Sequence, residues 1–354
     1  MPSITFGTHG ILRHATLILR SLRTIVRLPH ARAQLHLVRD ADVLTRTNFL
    51  YAASTLGLLA YLRTWTWRDD LVERLGVRRP ELLDSLLQVG VALNELARRG
   101  DLYRVRGSRA TALASETGDS IAATLEELLT YHGPVYRDVG AHLAGAPPSD
   151  YLEGKGLLIA RSSLILEPFM APFVQDLTRG AGPLRLLEVG CGSGVYLRYA
   201  AQVNPEINGV GIALQPDVVR TTSASLREWG LDGRFRILHA DIRTPGPELA
   251  GPFDLITLYG NIYYFPVANR SALLCSLRNR LSPGGRVAII SLFQAARSAL
   301  AADFDLILRS TAGCAPLPRI DELITQLHEA GFSDIRTQRL MLNQPLFGIV
   351  AREL

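Results

Sequence analysis

The stretch Leu184-Arg-Leu-Leu-Glu-Val-Gly-Cys-Gly-Ser-Gly-Val195 constrains this chain more than any other. Leu184 to Val189 is a short, mostly apolar run of the kind that forms a strand buried on both faces of a parallel sheet. Gly190, Gly192 and Gly194 follow at alternate positions, so the backbone there can turn sharply and approach a ligand closely. A helix is predicted from about Val195. A nucleoside can lie across such a strand, turn and helix edge. The dinucleotide fingerprint needs a third glycine three residues beyond Gly192, where this chain has Val195. A carboxylate at Glu188 also suits an amino group better than a pyrophosphate.

Beyond Val195 the pattern alternates between strand and helix. Strands are predicted at Ile207 to Ala213, Phe235 to Ala240, Phe253 to Leu258 and Arg286 to Leu292, with helices over Pro216 to Trp229 and Val267 to Leu281. A helix near Arg319 to Ala330 and strands around Ile335 to Met341 and Phe347 to Arg352 close the chain. This order predicts an α/β fold with a doubly wound, mostly parallel seven-stranded sheet, whose ligand sits at the carboxyl ends of the strands.

The Glu-x-Gly-x-Gly-x-Gly pattern at 188–194 closely resembles the first motif of the class I S-adenosylmethionine-dependent methyltransferases, and the closing strand pair resembles the antiparallel edge of their fold. The resemblance implies S-adenosyl-L-methionine as cofactor. Gly190, Cys191, Gly192 and Gly194 would wrap its methionyl portion, with Glu188 near its amino group. In the family an acid at the end of the second strand accepts both ribose hydroxyls. Aligning Gly211-Ile-Ala-Leu-Gln-Pro-Asp217 on the usual Gly-Ile-Asp-Leu-Ser-Pro-Glu puts Ala213 at that position. Methyltransferases resembling cyclopropane fatty acid synthases lack the acid too, and Gln215 is the substitute expected here. Asp241 would accept from the adenine amine while Ile242 packs on the ring; a plain turn or N-cap role is the alternative for Asp241. Tyr259-Gly-Asn-Ile-Tyr-Tyr-Phe-Pro266 resembles an Asn-Asn-Ile-Tyr-Tyr-Phe-Pro segment of bacterial relatives, with Gly260 replacing the first asparagine. Asn261, Tyr263 and Tyr264 are the residues expected nearest the reaction, touching the cofactor, orienting the acceptor or walling the pocket. Arg161 could pair with the cofactor carboxylate or an anionic substrate.

Plant-type relatives carry a catalytic histidine after the fifth strand, whereas Phe293-Gln-Ala-Ala-Arg297 has none. His132 and His142 remain as candidates, and a carboxylate or carbon acceptor needs no base at all. Cys191, Cys275 and Cys314 lack metal-ligand spacing, so no metal is expected.

The chain is long enough, at 354 residues, for two domains, expected at 1–150 and 151–354 with Gly145-Ala-Pro-Pro-Ser-Asp150 as the linker. A buried helix (Thr47 to Leu62), a short one ending at Gly76, a longer one from about Pro80 to Arg99 and a hairpin of Leu102 to Arg106 with Ala110 to Leu113 are predicted in turn. That order resembles the winged-helix dimerisation domain of many bacterial and plant small-molecule methyltransferases and implies a homodimer. Ser120 to Leu143 is predicted as a helix broken near Gly133-Pro134, and a joining helix is predicted from about Leu164 to Thr178. Arg78, Arg79, Arg98 and Arg99 could meet DNA, but Glu81, Asp84 and Glu95 share that helix and disfavour phosphate, so nucleic acid is not the expected partner. Apolar residues at helical spacing from Ile11 to Leu28, with Arg13, Arg20 and Arg27 alongside, offer peripheral membrane contact or packing. No cleavable signal peptide is apparent, and a cytoplasmic location is expected. The acceptor expected is a small organic molecule, either a secondary metabolite or a fatty acyl, lipid-like group. The rival readings are a nucleic-acid-directed methyltransferase or regulator, and a non-catalytic ligand-binding fold.

Overall fold

The computed structural model describes residues 29–353, which divide into two compact units at the boundary between Ser115 and Glu116. The stretch from Ile11 to Leu28 lies outside the described residues.

In the first unit, helix α1 (Ala31–Thr55) ends where Gly57 takes φ 69°, and a short α2 (Leu58–Tyr61) follows. Strand β1 (Thr66–Trp67), α3 (Arg68–Arg74), α4 (Pro80–Ala92), β2 (Leu96–Arg99), β3 (Leu102–Val105) and α5 (Ser108–Ala114) complete it. The strands form one antiparallel sheet ordered β1-β3-β2. Leu50, Leu59, Leu71 and Leu87 are buried between helices and sheet. A Cβ on Gly90 would come within 2.5 Å of the Phe49 ring, so this glycine lets α4 close on α1.

Two expectations are corrected in this unit. The helix expected to reach Arg99 stops at Ala92, because Asn94 turns left-handed at φ 59° and the chain re-enters as a strand. The hairpin is therefore β2 with β3, turned at Gly100 (φ 60°). Ala110 to Leu113 belongs to α5, where the buried Glu95 carboxylate accepts from the Ala110 amide.

The second unit opens with α6 (Asp119–Glu127), a π-helical turn at Leu128–His132 and α7 (Gly133–Leu143). Pro134 cannot donate, so a widened turn rather than a break carries the helix past it. Helices α8 (Gly156–Ser162) and α9 (Glu167–Thr178) flank a 3-10 turn. Then come β4 (Leu184–Val189), α10 (Val195–Val203), β5 (Ile207–Ala213), α11 (Pro216–Glu228), β6 (Phe235–His239), β7 (Phe253–Tyr259), α12 (Arg270–Arg278) and β8 (Leu281–Leu292). Helices α13 (Ala299–Ser310) and α14 (Ile320–Glu329) precede β9 (Phe332–Arg339) and β10 (Leu346–Glu353).

The seven strands run β6-β5-β4-β7-β8-β10-β9, with only β10 antiparallel to its neighbours. Order reverses between β4 and β7, where a crevice opens at the strand ends. The run 156–178 is long and apolar enough by composition to span a membrane, yet Met170, Phe173, Val174 and Leu177 belong to the sheet's own core.

The break between units falls at 115/116, not at 150. Tyr131 and Val135, on the early helices, pack with Ile307 of α13. Ser149 and Thr311 bridge as well, so the exposed stretch 145–150 is a loop within the second unit. Helix α13 was not expected; its mark is Ser298, whose hydroxyl accepts from the Ala301 amide as an N-cap.

Gly209 of β5 faces Leu186 of β4, and a Cβ there would sit 1.9 Å from the Leu186 carbonyl oxygen. Gly209→Ala is therefore expected to destabilise the chain by about 1–3 kcal/mol or more, measured as a lower urea midpoint.

Candidate cofactor site

Strand β4 lies between β5 and β7, with Glu188 opposite Gly211 on one side and Thr257 on the other. Glu188 is 1% exposed, and burial pushes its carboxyl up to about 8. Its Oε2 has no hydrogen-bond partner, nor do Thr257 Oγ1, the Tyr259 hydroxyl and Asn261 Oδ1 nearby. Buried polar atoms are seldom left unpaired; of these four, Asn261 Oδ1 accepts only, and so does the Glu188 carboxylate once its proton has left. The carboxyl ends of β4 and β7 thus present unmet acceptors of the kind an ammonium group satisfies.

The glycine turn is shaped by what surrounds it. Gly190 takes φ 69°, and a Cβ there would meet Asn261 Nδ2 at 2.7 Å. That same Nδ2 donates to the Val189 carbonyl, tying the β7 loop to the end of β4. Gly194 takes φ 76° against the Thr222 methyl, and Thr222 donates to the Gly192 carbonyl. At Gly192, φ is 50° and a Cβ would meet nothing within 4 Å, so its outer face is open. The Cys191 amide donates to Ile212 at 2.9 Å, and its buried side chain packs with Ala213 and Val218.

A cavity of about 440 Å³ opens over these strand ends. Of the residues expected at the site, Gly190, Cys191, Gly192, Gln215, Asp241, Ile242, Asn261, Tyr263 and Tyr264 all line it. Glu188 and Gly194 do not line it; the first is buried in the sheet and the second closes the turn. Ala213 also lines the wall, so a methyl group stands where the family's acid would. Asp241 pairs with Arg243 at 2.7 Å and accepts from the Arg243 amide; the guanidinium holds its carboxyl below the usual range.

The expectation for Arg161 is corrected. Its guanidinium grips Asp119 of α6 through both Nε and Nη2, and it does not reach the cavity wall. The pairing holds α6 to α8.

Sequence reasoning passed over many other lining residues, including Lys155, Gly156, Ile159, Met170, Tyr196 and Tyr259. Tyr196 follows the glycine turn directly and donates to the Met170 sulfur at 3.1 Å. Its ring meets that of Tyr259 edge-on at 5.4 Å. Helical spacing after Gly194 was the available mark for Tyr196. Lys155 and Gly156 sit in a region where the joining helix was expected to start later.

Tyr263 and Tyr264 stack edge-on at 4.9 Å, and Tyr263 also meets Phe304 of α13 at 5.2 Å. Burial pushes both hydroxyls well up, so both stay neutral near pH 7 and can donate hydrogen bonds. The two candidate histidines do not line the cavity. Burial works against charge on His132, but Asp303 and Glu127, at 3.4 and 3.6 Å, outweigh it and push it up to about 9. A cation at neutral pH, it is unsuited to act as a base. His142 bonds to the Tyr151 hydroxyl at 3.1 Å. Among the described residues, no three His, Cys, Asp or Glu side chains converge as a cation site.

The loop carrying Asn261 to Phe265 is fixed from behind by Arg270, which is 0% exposed and donates to the Phe265 and Pro316 carbonyls, both at 3.1 Å.

Residues 186–285 match the family model of the methyltransferase domain. A ubiquinone biosynthesis O-methyltransferase of Xanthomonas axonopodis pv. citri is 25% identical over 127 residues, which are 36% of this chain and 50% of that protein. The chain spans about half the length of the curated relatives it matches. Among solved structures, an O-methyltransferase family protein of Burkholderia thailandensis aligns with a TM-score of 0.74 at 18% identity, covering 90% of this chain and 97% of that one. Human N-acetylserotonin methyltransferase, in complex with S-adenosylmethionine, aligns with a TM-score of 0.72 at 16% identity, covering 92% and 99%. The fold of the chain is the one these proteins share.

Two outcomes follow from the site's geometry. Arg270→Leu strands the Phe265 and Pro316 carbonyls and is expected to cost about 2–3 kcal/mol in a urea titration. Glu188 makes ligand-free stability fall as pH rises, because its folded carboxyl is raised from 4.5 to about 8 and keeps a proton that the unfolded chain has released. Glu188→Gln removes that part of the slope, so the variant should gain on the wild type between pH 5 and pH 8 in urea midpoints.

Proposed function

We propose that this chain, whose second unit carries a class I S-adenosylmethionine-dependent methyltransferase domain, transfers a methyl group to a small organic acceptor. The observation that carries the reading is the pairing of an open glycine turn with unmet buried acceptors. Gly192 leaves room for a ligand chain against the backbone, and Glu188 and Asn261 offer carboxylate and amide oxygens to an ammonium group. Asp241 and Ile242 supply the adenine end of the same cavity. When bound, S-adenosylmethionine supplies a methyl already activated by its positive sulfur.

The protein's own contribution is then alignment and exclusion of water. Asn261, Tyr263 and Tyr264 line the wall after β7, where they orient the acceptor. Neither tyrosine is ionised near neutral pH, and the wall's one carboxylate, Asp241, is paired with Arg243. With Lys155 a cation, these lining residues offer no general base, which favours an acceptor that presents its nucleophile ready, such as a carboxylate or an activated carbon. A secondary metabolite or lipid-like molecule fits a wall rich in Ile159, Leu166, Met170 and tyrosine. In the first unit, Arg68 pairs with Asp84 and Arg79 with Glu81, leaving α4 poorly suited to phosphate. On α1, Leu35, Leu37, Val38, Val43 and Leu44 are 56–69% exposed, which supports a homodimer formed through this helix. A cytoplasmic location fits the same reading.

Calorimetry should register binding of S-adenosylhomocysteine and none of NAD. Gly192→Val should weaken that binding about 100-fold or more: the new side chain meets no protein atom and enters ligand space, while φ 50° strains it, so the urea midpoint also falls even though the far-ultraviolet dichroism stays native. For the dimer, sedimentation should give twice the chain mass for the wild type and the single-chain mass for Leu37→Glu/Leu44→Glu.

A further inference from the structure

In the fold family an acid at the end of the second strand takes the ribose hydroxyls, and here Ala213 occupies that place on the cavity wall. The residues around it are therefore the ones to hold the sugar. Gly156 lies directly over Gln215: a Cβ on that glycine would come 3.0 Å from Gln215 Cγ and 3.2 Å from its Cδ. Leu157 packs on the small cluster of Cys191, Ala213 and Val218. Residues 155–157 thus cover the end of β5 and the glycine turn together, on the nucleoside side of the cavity.

Lys155, the chain's only lysine, lines the same cavity. The two other ions of the wall, Asp241 and Arg243, neutralise one another at 2.7 Å. Lys155 has no ion pair or side-chain hydrogen bond with any other described residue. Its three N–H donors are thus uncommitted, beside an amide that can both donate and accept.

We propose that Lys155 and Gln215 form a donor pair for the ribose diol of the bound nucleoside, in place of the acid missing at Ala213. The inference rests on the methyltransferase reading above. It reverses the polarity of the usual contact. A carboxylate receives hydrogen bonds from both hydroxyls; here the sugar oxygens accept from an ammonium and an amide. Gly156 belongs to the same device, because a Cβ there would press on Gln215 and make its side chain give by a few tenths of an ångström. Arg161, which sequence alone offered as a cofactor contact, is committed to Asp119 and cannot share the task.

The test is calorimetry with S-adenosylhomocysteine and its 2′,3′-dideoxy analogue, on the full chain and on Lys155→Met, Lys155→Arg and Gln215→Leu. Lys155→Met should weaken S-adenosylhomocysteine about tenfold yet change the dideoxy analogue less than about twofold. Lys155→Arg should recover most of the loss, and Gln215→Leu should show the same selectivity for the diol as Lys155→Met. Unchanged S-adenosylhomocysteine affinity in Lys155→Met, or an equal loss for both ligands, overturns the pair while the methyltransferase reading stands. Absence of S-adenosylhomocysteine binding to the wild type overturns both, and is visible before any variant is compared.

Discussion

A carboxyl group buried in the middle of a sheet, with one oxygen unpartnered, is costly to keep. Glu188 is that group, placed on the central strand between Gly211 and Thr257 where water does not reach it. Burial of an ionised carboxylate without a counter-charge is so unfavourable that the group holds its proton instead. A cation delivered to the strand end reverses the balance. Such a residue contributes nothing to folding that a leucine would not contribute better, and its presence is explained by a ligand.

The rest of the site follows from the need to bring a ligand to that point. Backbone must turn away within one residue of Glu188, which Gly190 does with a left-handed conformation in the space that Asn261 fills. Asn261 in turn donates to the Val189 carbonyl, which ties the loop after β7 to the end of β4. Arg270 fixes that loop from behind, at the cost of burying a guanidinium whose Nη1 has no partner. The tyrosines then stand on a braced loop rather than a free one, as alignment-based catalysis requires.

Much of this was legible in residues 184–292, because parallel strands buried on both faces announce themselves as apolar runs bounded by glycine and proline. Strands β4 and β5 fall at the expected residues, and nine of the predicted site residues share one wall. What escaped depended on long-range packing. Ala110 to Leu113 lacks strand character but stood after a Gly-Ser pair that resembles a turn, and only the buried Glu95 fixes it as a helix. Arg161 was chemically suited to a carboxylate, and the sequence gives no hint that Asp119, 42 residues earlier, takes it. The boundary at 115/116 was hidden for a similar reason. Exposed Gly and Pro at 145–150 have linker composition, yet the helices before them pack on α13, which lies far along the chain.

The central claim is that Glu188 is held neutral until a cationic group arrives beside it. Proton exchange on binding reads this directly, by titrating S-adenosylhomocysteine calorimetrically at pH 7 in buffers of different ionisation enthalpy. The account predicts release of nearly one proton per site by the wild type and almost none by Glu188→Gln. Binding without proton release, or equal release by both proteins, would contradict it.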